Sequence, residues 1–191
     1  MKKFPARVLG VYTNPIPKTQ FSAPVDKIEV NLEGFKGDYY SGLTSITGKS
    51  NPDYPRGTEI RNRRQITAVS IEELKEIADR LGLPYLQPDW FSANLLLEGI
   101  PDLSLIPPLS RIFFPQETVL VIDEENPPCS GLAKLIQAQF PDIAGIDRSF
   151  VKQAMHLRGV TAWVERPGWI NAGDSVLVEI HKQNDYPVEE K

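Results

Sequence analysis

Cysteine and histidine are scarce in this 191-residue chain: Cys129 is the one cysteine, and His156 and His181 are the two histidines. A lone cysteine excludes an internal disulfide and a zinc site built on cysteine pairs. No glycine-rich dinucleotide turn, P-loop or His-Glu-x-x-His pair is present, so the common phosphate-cradling and zinc-protease motifs are absent. There is also no flavin, haem or iron–sulfur motif. No apolar run approaches the ~20 residues needed to span a bilayer. Met1-Lys2-Lys3 has the charge of a signal peptide, but Arg7 and the polar residues from Thr13 onward leave it no hydrophobic segment, so the cytoplasm is the expected location.

What remains is the composition of a globular protein, 41% hydrophobic and 24% charged, with a net charge of −4 that argues against a polyanion binder. Arg56, Arg61, Arg63 and Arg64 crowd together against that balance. Guanidinium groups bind phosphate and carboxylate bidentately, so the cluster is either an anion site or a solvated turn with surface ion pairs. It has no interleaved aromatic residues, and nucleic acid is not an expected partner.

Cys129 lies in Glu125-Asn126-Pro127-Pro128-Cys129-Ser130-Gly131, between a strand-like run at 118–122 and a helix-like run at 130–140. The unpaired N–H groups and positive dipole end of a helix N-terminus favour a thiolate. The alternative is a small buried hydrophobe with no reactivity. A Cys–His dyad would have to use His156, because His181 adjoins the polar tail.

Alternating or β-rich runs predict strands at 6–12, 26–32, 64–70, 95–97, 111–114, 118–122, 159–164 and 175–180. The clearest helix follows Ser70, which with Glu73 has capping-box spacing; Leu74, Ile77, Ala78 and Leu81 form its apolar face, and Gly82 and Pro84 stop it. A second helix follows Cys129, and a short one is expected at 150–157. Residues 39–57 read as a long loop and 166–174 as a connector. The strands do not alternate with helices, so no parallel α/β sheet is expected. The expected fold is mainly β: a closed or partly open antiparallel barrel with a few peripheral helices, in one domain over 1–180, with 181–191 a polar tail.

Several stretches together resemble the MOSC domain, the C-terminal domain of molybdenum cofactor sulfurases that also occurs alone in bacteria. They are Gly37-Asp38, Arg56-Gly57-Thr58, the run from Ile60 to Gln65, the helix start at Val69-Ser70 with Glu72-Glu73-Leu74, Asn94-Leu95, Glu98-Gly99, Asn126 with Pro128-Cys129, and Gly168, Ile170 and Gly173-Asp174. The resemblance runs from about residue 6 to 180, and the order and spacing of the motifs carry it. It implies a β-barrel like the small domain of pyruvate kinase, and a role in binding molybdenum cofactor (molybdopterin) or carrying sulfur. Cys129 falls on the family's functional cysteine, as a persulfide carrier or a molybdenum ligand. Asn94 matches the asparagine near it, and Arg61, Arg63 or Arg64 would take the pterin phosphate. Asp38 would orient Arg64 or a ligand, or cap a turn. Tyr40 stands where the family often has a histidine, so that imidazole is missing here. No pyridoxal phosphate is expected. Partners would be a sulfur donor or a molybdoenzyme acceptor, with no membrane. The alternatives are a molybdenum-dependent oxidoreductase with a separate electron donor, or an anion-binding module with an inert, buried Cys129.

Overall fold

The computed structural model describes residues 2–16, 21–48 and 53–183. Its strands are β1 (Lys2–Thr13), β2 (Ala23–Val25), β3 (Lys27–Asn31), β4 (Gly34–Phe35), β5 (Thr44–Ile46), β6 (Glu59–Arg61), β7 (Ile66–Ser70), β8 (Leu95–Glu98), β9 (Arg111–Phe113), β10 (Val119–Glu125), β11 (Val160–Arg166), β12 (Gly168–Asn171) and β13 (Ser175–Ile180). The helices are α1 (Ile71–Leu81), α2 (Ser130–Gln139) and α3 (Ile146–Gln153). Among the described residues no helix is long and apolar enough to cross a membrane.

Strands β13, β9, β10, β11, β7, β8 and β1 pair in that order, and β1 pairs back to β13, closing a barrel. Closure leaves no sheet edge between these strands. The mainly β barrel with peripheral helices is thus present, with one departure: β7 and β8 are parallel, whereas the other barrel pairs are antiparallel. A parallel neighbour requires a crossover. α1 is that crossover, so the chain does contain one βαβ unit.

Period-two burial explains how the barrel also carries helices. Leu95 and Leu97 of β8 point into the barrel core with Ile66, Leu120, Val160 and Val178, whereas Leu96 faces the opposite way. Leu96 and Val69 join a second core made by Leu74, Ile77, Leu132, Ile136 and Phe150 of the three helices. In β1 a register shift between Val8 and Gly10 brings Val11, with Ala6 and Val8, onto the inner face.

α1 forms as its sequence dictates. Ser70 Oγ accepts the Glu73 N–H at 3.1 Å, and Gly82 ends the helix in the left-handed conformation. Only half of the expected capping box exists, because the Glu73 carboxylate turns elsewhere. The third helix begins at Ile146, not at 150. Its start is capped from outside: Gln137 Oε1 of α2 accepts the Ile146 N–H at 3.0 Å and the Asp147 N–H at 3.4 Å. The expected loop at 39–57 contains β5, which pairs with β6; residues 49–52 of it lie outside the described residues. The expected connector at 166–174 contains β12, which pairs with β3 beside the barrel. Of the expected tail, residues 184–191 lie outside the described residues, and the His181 N–H donates to Ser110 Oγ at 2.9 Å.

Candidate functional site

β10 runs out at Glu125, and the chain leaves the barrel where Asn126 N–H donates to Gly159 O at 2.9 Å. Pro127 and Pro128 have no N–H to continue a ladder. Cys129 is then the N-cap of α2, its carbonyl accepting the Ala133 N–H at 3.1 Å while its side chain makes no cap hydrogen bond. The thiol is exposed, and α2 has no acidic residue in its first turn to compensate the dipole. Of the two readings of Cys129, the buried one does not hold.

The thiol opens onto a cavity of about 600 Å³ whose polar lining includes Arg64, Glu124, Glu125, Asn126 and Arg158. Arg64 is engaged: Nη1 donates to Glu124 at 2.6 Å and Nη2 to Asn126 Oδ1 at 2.8 Å. Arg158 is not fully engaged. Its Nη2 donates to the Phe91 carbonyl at 3.0 Å, but Nη1 is buried without a partner. Burial lowers Arg158 to about 10, with the Cys129 charge opposing and Arg64 adding to the effect, so it is still a cation at neutral pH. A buried guanidinium nitrogen without an acceptor carries an uncompensated desolvation cost.

Asp38 and Asn94 are brought together, in a cluster of their own. Asp38 Oδ2 accepts the Asn14 N–H at 2.7 Å and Asn94 Nδ2–H at 2.9 Å, and Oδ1 accepts the Tyr40 N–H at 2.8 Å. Asn94 Oδ1 accepts the Thr67 N–H at 2.9 Å, so this side chain braces the backbone where β7 and β8 meet. Tyr40 links this cluster electrostatically to Arg158. Burial raises the Tyr40 hydroxyl above its ordinary range while a side-chain hydrogen bond with Ser92 opposes this, and Arg158 lies close enough to lower it. Asn62 completes the link, its Nδ2–H donating to Tyr40 O at 2.9 Å and its Oδ1 accepting the Arg64 N–H at 3.1 Å.

Arg61 and Arg63 fall outside the cavity. Arg63 pairs with Asp123 at 3.2 Å, and Arg61 lies over the Trp163 ring at 5.9 Å. His156 pairs its Nδ1 with Glu125 at 3.0 Å. Among the described residues no three His, Cys, Asp or Glu side chains converge to hold a metal. The residue that sequence reasoning missed is Arg158. Its signal was faint: an arginine ahead of Gly159, whose φ of +84° and close approach to Ala68 O fix the peptide that follows it.

The MOSC domain model matches residues 55–177. YuaD of Bacillus subtilis (strain 168), whose name links it to metal-sulfur cluster biosynthesis, is 39% identical over 182 residues, which is 95% of this chain and 94% of YuaD. The crystal structure of the YuaD protein superposes with a TM-score of 0.91, covering 95% of this chain and 99% of that one. The crystal structure of YiiM from Geobacillus stearothermophilus has a TM-score of 0.58 at 16% identity, covering 91% of this chain and 74% of that one, a likeness of fold alone.

Proposed function

We propose, from the premise that this chain belongs to the MOSC family, that it binds the pterin-molybdenum cofactor or carries sulfur for it through Cys129. The carrying observation is the shared cavity: an exposed thiol at a helix N-terminus faces a buried guanidinium with an unpartnered N–H. The donor set fits such a ligand. A single thiolate complements a metal that arrives with other ligands of its own, or holds a transferable sulfur. Arg158 would bind an anionic group of the cofactor, with Arg64 beside it. Bound molybdenum would supply two-electron redox chemistry. Asp38 and Asn94 would hold Tyr40 against Arg158 rather than touch the ligand, and Arg61 and Arg63 would remain in their flanking contacts. The name of YuaD supports a sulfur-related role.

The exposed thiol weighs against a non-catalytic module with a buried, inert cysteine. An oxidoreductase with a separate electron donor would use this same site and becomes testable only once cofactor is bound.

The deciding experiment is retention of molybdopterin, detected as its fluorescent oxidised product, by purified wild type and Cys129→Ser after exposure to a cofactor source. Retention that falls at least about tenfold in Cys129→Ser is the expected result. Retention by neither protein would sink the cofactor reading, and equal retention by both would sink the role of the thiol.

A further inference from the structure

One fully buried carboxylate is used neither by the helix cap nor by the cavity. Glu73 of α1 is 0% exposed. Its Oε1 accepts the Ser104 N–H at 2.7 Å, and its Oε2 lies 3.0 Å from Ser104 Oγ. Ser104 Oγ accepts the Gly159 N–H at 2.7 Å and stands 3.4 Å from Gly159 O. That same carbonyl accepts the Asn126 N–H at 2.9 Å. Gly159 therefore joins both walls of the cavity, Arg158 on one side and the 126–129 segment on the other. A side chain is excluded there, since a Cβ would lie 2.0 Å from Ala68 O.

The Ser104 hydroxyl has one proton to give. When Glu73 is ionised, Oγ–H donates to Oε2. When Glu73 is protonated, Oε2–H donates to Oγ, and Oγ–H is released toward Gly159 O. The carboxyl proton thus selects between two hydrogen-bond patterns at the peptide that anchors Arg158.

We propose that Glu73 is a positioning residue for the Cys129 cavity, acting through Ser104 and Gly159 to set Arg158 against the thiol. This rests on the cavity being the working site. Burial pushes the Glu73 carboxyl up to about 7, against the Ser104 hydrogen bonds and with Asp102 adding to it, so the two patterns exchange near neutral pH. Asp102 is the charged neighbour that acts on it; Glu72, next to it on α1, accepts the Gly99 N–H instead.

The test is alkylation of Cys129 by anionic iodoacetate and by neutral iodoacetamide, across about pH 5 to 9. The ratio of the two rate constants cancels the thiolate fraction common to both and reports the cationic field at the sulfur. In wild type the ratio should step by about twofold or more near pH 7. In Glu73→Gln, whose Nε2–H donates to Ser104 Oγ as the protonated acid does, the ratio should stay at its low-pH value throughout. Ser104→Ala should also lose the step, and Arg158→Ala should lower the ratio at every pH. A flat wild-type ratio overturns the proposal, as does a step that persists in Glu73→Gln. If Glu73→Gln does not fold, Ser104→Ala decides: a step surviving without the hydroxyl overturns the relay. Neither reagent involves molybdenum, so failure here is distinct from failure to retain molybdopterin.

Discussion

Arg158 is held at a cost: burial depresses its pKa to about 10 and one of its N–H groups has no acceptor. Replacing such a group by an apolar side chain of similar length is commonly neutral or stabilising, because the desolvation penalty disappears with the charge. Arg158→Met should therefore leave the thermal midpoint unchanged or raise it, while molybdopterin retention falls by roughly tenfold. A melt and a retention assay on the same preparation check both halves, and a destabilised variant that still retains cofactor would assign Arg158 to structure. Cys129 and Arg64 were legible in the sequence, one as the lone thiol ahead of a helix and the other within an arginine cluster. Arg158 was not, because it becomes a site residue only when the turn at Gly159 brings it beside Cys129 from far along the chain.

α2 and α3 are joined by a short break that one side chain organises. Gln137 Nε2–H donates to Phe140 O at 3.1 Å and Ile143 O at 2.7 Å, while its Oε1 caps α3 at Ile146 and Asp147. Gln137→Ala leaves these groups to water and should destabilise the protein by about 1–2 kcal/mol in urea unfolding. Loss of only a few tenths would mean that water replaces the clamp. α1 carries its own start and stop in Ser70 and Gly82, and its bounds could be read directly. α3 takes its cap from Gln137, and Gly145 before it offers no side-chain acceptor, so the sequence pattern points to a start four residues late. β5 and β6 are only three residues each and pair with one another, too short for periodicity to register. The Gly168 stretch reads as a turn until β3 is laid beside it.

At the scale of the whole molecule, counting strands and finding few helices was enough to predict a barrel with helices outside. The parallel β7–β8 pair was not foreseen, since a single crossover does not make a sequence alternate. That crossover, α1, ties the barrel to the helical core, and it does so with Glu73 buried between them. The consequence for stability has a definite sign. Glu73 titrates at about 7 when folded, against an ordinary value of 4.5. Between those values the folded state holds a proton that the unfolded chain has released, so stability falls as pH rises. The contribution is fully present below the unfolded value and is lost as pH passes through about 7, amounting to about 3–4 kcal/mol in all, of which about 2–3 kcal/mol falls between about pH 5 and about pH 8.5. Asp89 and Asp123, raised by burial, act in the same direction, whereas Glu165, lowered by its hydrogen bonds to Arg111, acts in the other. Subtracting Glu73→Gln from wild type isolates the one carboxylate. Urea unfolding at about pH 5 and about pH 8.5 should show the variant gaining on wild type by that amount as pH rises. An equal pH dependence in both proteins would mean that Glu73 titrates normally.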